Sequence, residues 1–97
     1  MAVAPDGYLL SPSYPNPANP SALIPYELPE AGEVSLVVYN ALGQPVRVLV
    51  QGFQPAGDYK ATWRGRDDYG RPVSSGVYLY RLTSGRFSQS RQMVLLQ

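Results

Sequence analysis

The chain contains no cysteine and no histidine. Disulfide and thiolate chemistry are therefore excluded, and so are the commonest general base and the commonest metal ligand. Ser74, Ser75 and the other serines have no imidazole to activate them. Charge is scarce, at 15% of residues. No apolar run approaches the roughly 18 to 20 residues that span a bilayer. The recurrence at i, i+3, i+4 and i+7 that marks an amphipathic helix is missing throughout. The opening "MAVAPDG" lacks a basic stretch followed by an apolar one, so it is not a signal peptide. If the protein is exported, its signal is expected upstream, the chain being then a piece of a longer protein and Met1-Ala2 a cloning start.

What is present points to sheet. Ninety-seven residues make a single domain, which buries roughly 65% of its unfolded surface. The composition is 44% apolar, with ten Pro, nine Gly and eight Tyr. That is too apolar and aromatic for disorder, yet rich in turn formers. The few charges are unevenly placed. Residues 1–59 hold one Arg against five acids, net −4, while 60–97 hold seven cations against two acids, net +5. This split suggests complementary halves. It does not suggest a nucleic-acid partner, because a domain of net +1 lacks a clustered basic face.

"SPSYPNPANP", residues 11–20, is held extended by its prolines, and helix is excluded there. In "ALIPYELP", Ile24, Tyr26 and Leu28 share one side, and Pro25, which cannot donate to a ladder, marks an edge strand. The prolines read as an extended lead-in that blunts an edge. "VSLVVYN" places Val34, Leu36 and Val38 on one face of a central strand. "ALGQP" turns at Gly43, "VRVLV" is a strand whose facing is ambiguous at Leu49, and "QGFQPAG" turns again. "DYKATWR" puts Tyr59, Ala61 and Trp63 on one side, with Trp63 as a core anchor. "GRDDYGRPVSSG" is a long polar connection, and "VYLYRLTS" is an interior strand with Tyr78, Tyr80 and Leu82 on one face. Gly85 closes a hairpin into "SQSRQMVLLQ", the last strand. The pattern predicts an all-β antiparallel sandwich of six to seven strands, with residues 1–10 as an N-terminal linker or cloning remnant and 11–97 as the domain.

Candidate chemistry is thin, and no enzyme is expected. Asp67-Asp68 lacks the spaced acids of a calcium loop and reads as a turn capped by its own carboxylates, with Arg66 or Arg71 as partner. No metal and no cofactor are expected. Glu27, Glu30, Glu33 and Asp58 fall at strand ends and turns as solvated charges, not as a glycosidase pair. Tyr39 and Tyr69 could stack on sugars, whereas Tyr26, Tyr59, Tyr78 and Tyr80 occupy core positions.

The segments "YPNPANPSALIPYELPEAGEVSLVVYNALGQPVRVLV", "PAGDYKATWRGRDDYGRPVSSGVYLYRL" and "RQMVLL" together resemble the type A C-terminal sorting domains of the type IX secretion system. They are similar also to the related immunoglobulin-like domain of the flagellar hook-capping protein. The resemblance spans residues 11–97 and implies an immunoglobulin-like sandwich. It further implies an address tag at the end of a large exported protein of Bacteroidetes-like bacteria, recognised by outer-membrane secretion machinery. The cargo domains would lie N-terminal to it, and the protein would end at the cell surface or outside the cell. In many such proteins the tag is cut off and the cargo is joined to surface lipopolysaccharide. The positions that the resemblance marks for recognition are Gly76, Tyr78 and the tail residues Arg91, Met93, Val94, Leu95 and Leu96. Where such tails often carry lysine this one reads "RQMVLLQ", with Arg91 as the nearby cation. An accessible last strand suits this role because it can offer main-chain groups for strand addition. The alternative is a non-catalytic accessory module, either a structural spacer or a binder of cell-envelope polysaccharide.

Overall fold

A computed structural model describes residues 7–97. Seven strands follow one another: β1 (Leu9–Leu10), β2 (Ala22–Leu28), β3 (Gly32–Asn40), β4 (Pro45–Gln54), β5 (Gly57–Trp63), β6 (Gly76–Ser84) and β7 (Phe87–Leu95). They form two antiparallel sheets, ordered β1-β2-β5 and β4-β3-β6-β7. The all-β sandwich expected from the alternation, immunoglobulin-like as the resemblance implies, is what the chain builds. Ile24, Tyr26, Leu28 and Trp63 from the first sheet meet Val34, Leu36, Val38, Tyr78, Tyr80, Leu82, Met93 and Leu95 from the second, all buried. Period-two spacing places each set on one face, so burying it leaves the polar alternates in water. Trp63 is only 1% exposed; its ring stands edge-on to Tyr78 at 5.0 Å and its indole N–H donates to the Arg66 carbonyl at 2.9 Å.

Three expectations need correction. The first is the boundary at residue 11. Tyr8 and Leu10 lie in the core, Leu9–Leu10 pair with Tyr26–Glu27, and Tyr8 stacks on Phe87 at 4.9 Å. The sandwich thus begins inside the presumed linker, whose first six residues lie outside the described ones.

The second is the edge assignment of the Pro25 strand, since β2 sits between β1 and β5. Pro25 is tolerated because of what faces it. Ser11 donates its N–H to the Pro25 carbonyl at 3.0 Å, and the return bond that proline cannot make is replaced by the Tyr80 hydroxyl, which donates to the Ser11 carbonyl at 2.8 Å. Burial raises the Tyr80 hydroxyl above the usual tyrosine pKa, so it stays a donor.

The third concerns "QGFQ", which is strand and not turn: β4 runs to Gln54, with Gly52 opposite Val34. The ambiguity at Leu49 has the same origin. Leu36 pairs with Val50 and Val37 with Val48, then Val38 with Arg47 and Tyr39 with Pro45, so Leu49 and Val46 are extra residues in two bulges. A bulge resets alternation, and both residues turn toward the core.

The charge split does not join the halves either. Among the described residues the one ion pair is Arg71 Nε to Asp67 Oδ2, 3.2 Å, inside a single loop. No helix among the described residues is long and apolar enough to cross a membrane.

Candidate functional site

The residues singled out for recognition fall on β7 and its neighbour. Gly76 pairs with Leu95 and Tyr78 with Met93, so the marked positions are brought together across one ladder. They divide by facing. Tyr78, Met93 and Leu95 point into the core at 5%, 1% and 0% exposure, whereas Val94 and Leu96 are 37% and 47% exposed. The Tyr78 hydroxyl donates to the Ser74 carbonyl at 2.6 Å, and the half-buried Arg91 donates through Nε to the Leu10 carbonyl at 2.6 Å. Of the marked residues, Val94, Leu96 and parts of Gly76 and Arg91 can be touched from outside in the folded domain.

The last strand is also less open than its position suggests. The proline lead-in, after pairing Tyr14 with Leu23 on β2, crosses to the other sheet and lies parallel to β7 at Ala18 and Leu95. Ala18 donates to the Val94 carbonyl at 2.8 Å, Leu96 donates to the Ala18 carbonyl at 2.8 Å, and Val94 donates to Asn16 Oδ1 at 3.0 Å. Ala18 is fully buried, and Pro17, between the two contact residues, directs its missing donor away from β7. This strap from Tyr14 to Pro20 laces the two sheets along their open side. The expectation of freely offered main-chain groups therefore fails at residues 94–96.

Beyond Leu96, Gln97 bonds to the loop between β5 and β6. Its N–H donates to Ser75 Oγ at 2.9 Å, and its side-chain amide donates to the carbonyls of Gly65 at 2.9 Å and Val73 at 2.6 Å. Gly65 has φ +69°, and a Cβ there would meet Gln97 Nε2 at 3.1 Å, Leu95 Cδ1 at 3.2 Å and Pro20 Cβ at 3.2 Å. Strap, last strand and loop thus converge on one glycine. Asn16, Ala18, Gly65 and Gln97 were not expected at the site. The alternation of proline with Asn and Ala in "PNPANP" was the available signal.

The Asp67-Asp68 loop is a capped turn. Asp67 Oδ1 accepts from the N–H groups of Tyr69 at 2.9 Å and Arg71 at 3.0 Å. The Arg71 backbone bond, helped by that of Tyr69 and by the Arg71 charge, holds the Asp67 carboxyl below its usual range. Asp68 Oδ1 accepts from Val48 N–H at 2.9 Å. Tyr69 is 83% exposed, but the Arg71 guanidinium lies 4.9 Å from its ring centre, and that of Arg81 lies 5.8 Å from Tyr39. Each ring already has a cation on one face. Glu27, Glu30, Glu33 and Asp58 are exposed. Glu27 and Asp58 face each other across β2 and β5, beside the Tyr26–Tyr59 stack, at a groove of about 420 Å³.

The same sandwich recurs in solved structures. Dimeric latent PorU from Porphyromonas gingivalis aligns over 98% of this chain with a TM-score of 0.74 at 20% identity, a likeness of fold. PorZ, described as an essential bacterial surface component of the type-IX secretion system of Porphyromonas gingivalis, aligns over 95% with a TM-score of 0.56 at 25% identity. The chain spans 10% of the first and 12% of the second. A search of curated proteins gives no match. Residues 18–86, more than half of the sequence and extending from the strap through β6, match the FlgD Ig-like domain, and the chain belongs to that family.

Proposed function

We propose that this domain is a non-catalytic sorting and attachment domain of a larger exported protein, recognised by type IX outer-membrane machinery and delivered to the cell surface or beyond. The observation that carries the reading is the recurrence of the same sandwich as about a tenth of PorZ, a surface component of that system. A domain that addresses many cargoes must fold by itself and present one common feature. The laced sandwich does the first, and the outward side chains of β7 supply the second. Sugar binding is less well served, because Tyr39 and Tyr69 each have one ring face against an arginine.

The test is a reporter carrying a signal peptide and fused to the whole chain, expressed in a bacterium with the type IX machinery. Truncating the last five residues would remove Met93 and Leu95 from the core and confuse folding with recognition. Val94→Glu with Leu96→Glu changes the exposed side alone. The intact fusion is expected at the surface or in the medium, and the double variant in the periplasm with its reporter folded. Equal export of both would remove β7 from the address, and retention of both would favour a structural spacer.

A further inference from the structure

The outer edge of β7 has two halves. At Val94–Leu96 it is closed by Asn16 and Ala18. The backbone groups of alternate strand residues point the same way, so Ser88, Ser90 and Gln92 share the outward direction of Val94. Among the described residues no strand pairs with them in the four-stranded sheet, of which β7 is the last member. A half-filled edge of nine residues is a place where a further strand can start on the open half and advance into the closed one.

We propose that the β7 edge from Ser88 to Leu96 is an acceptor site for an extended segment of a partner protein, and that Asn16–Ala18 is the chain's own occupant of its far half, displaced when the partner strand is added. The seated strap defines the chemistry that the site takes. The incoming segment runs parallel to β7, as Ala18 does beside Leu95. It carries a side-chain amide oxygen where Asn16 meets the Val94 N–H, and two residues later a small side chain, because Ala18 is fully buried and Pro20 packs within 3.2 Å of the Gly65 Cβ position. The outward residues of this edge, Ser88, Ser90, Gln92 and Val94, are uncharged, and the one cation within it, Arg91, is already bonded to the Leu10 carbonyl. The proposal deepens the secretion reading and rests on it for the source of the partner, but the edge and its occupant stand on the bonds alone.

The probe is the strap itself as a free peptide, residues 13–21, "SYPNPANPS". It is titrated by NMR into the full chain, into Asn16→Ala and into Ala18→Pro, which lacks the N–H given to Val94. Hydrogen exchange first shows that the strap has loosened. The Val94 amide should exchange about fivefold faster in Asn16→Ala, the size of one lost hydrogen bond. The peptide should then shift β7 amides saturably in both variants and bind the parent about tenfold more weakly, as expected for an occupied site. A peptide with Ala in place of Asn16 and Leu in place of Ala18 should not bind. Equal binding to parent and variants, or no binding where exchange is fast, would overturn the proposal. So would concentration-dependent dimerisation of Asn16→Ala, which would assign the edge to a second copy. Because the titration needs no secretion machinery, its failure leaves the export result standing, and failed export leaves the titration standing.

Discussion

The four-stranded sheet has two outer edges, and each is closed in part by the same chemistry from different distances. At β4, Asp68 donates its N–H to the Val46 carbonyl and accepts the Val48 N–H on its carboxylate, each at 2.9 Å. At β7, Ala18 brackets Val94 and Leu96 with main-chain bonds while the Asn16 side-chain oxygen takes the Val94 N–H. In both cases a side-chain oxygen serves one strand donor and the main chain serves the rest. The β4 seal comes from 20 residues away and the β7 seal from 78. The first uses a carboxyl oxygen and the second an amide oxygen. Distance thus makes one edge local and the other remote.

Breaking the β4 side at its root gives the largest effect. Trp63 holds the Arg66 carbonyl and fills the core behind the loop, so Trp63→Ala should destabilise the domain by about 3–5 kcal/mol. Urea unfolding measures it, and a loss below about 1 kcal/mol would mean that the indole is not the anchor. A smaller effect follows from the seal itself. Asp68→Ala should cost about 1 kcal/mol and speed exchange at Val48 while leaving Val94 unchanged, and Asp68→Asn, which keeps the oxygen, should restore most of the protection. If Val94 responds equally, the two edges are coupled and the comparison fails.

Acid gives the smallest and most selective effect. The folded-state pKa of Asp67 is depressed, so its contribution is present above the ordinary aspartate range and is lost as pH falls through the lower folded value. Acidification in that window should loosen the Tyr69 and Arg71 amides, which the Asp67 carboxylate holds, before the Val94 amide, as read by exchange along a pH series. Asp67→Asn should remove the difference. Equal loosening of the Val94 amide in the parent would refute a local effect of Asp67.

Much of this was legible in the sequence wherever alternation runs unbroken. Ile24, Tyr26 and Leu28, then Val34, Leu36 and Val38, then Tyr78, Tyr80 and Leu82 are each placed by period two, and all are buried. Alternation also separates Met93 and Leu95 from Val94 and Leu96 at the candidate site. It fails at Leu49 and Val46, because an inserted residue changes the phase without changing the composition. Pro25 misled for another reason. Its missing donor is answered by Tyr80 through Ser11, a substitution that no local pattern records. The strap was legible as extended chain but not as a seal, since what it covers lies at the other end of the sequence. Gly65 likewise read only as part of a polar connection, whereas its neighbours are Pro20 from the strap and Leu95 and Gln97 from the chain's end.

The parallel course of the strap beside β7 has a mechanical consequence. In a parallel pair the upstream end of one segment and the downstream end of the other lie at opposite ends of the contact. Once β1 and the Tyr14–Leu23 bridge have let go, tension from the upstream chain against the C-terminus would therefore slide Asn16–Ala18 along Val94–Leu96 and load their three bonds at once, instead of peeling them one after another. Pulled along its length, the domain resists as a sheared joint, and the same strap lifted sideways comes away one bond at a time.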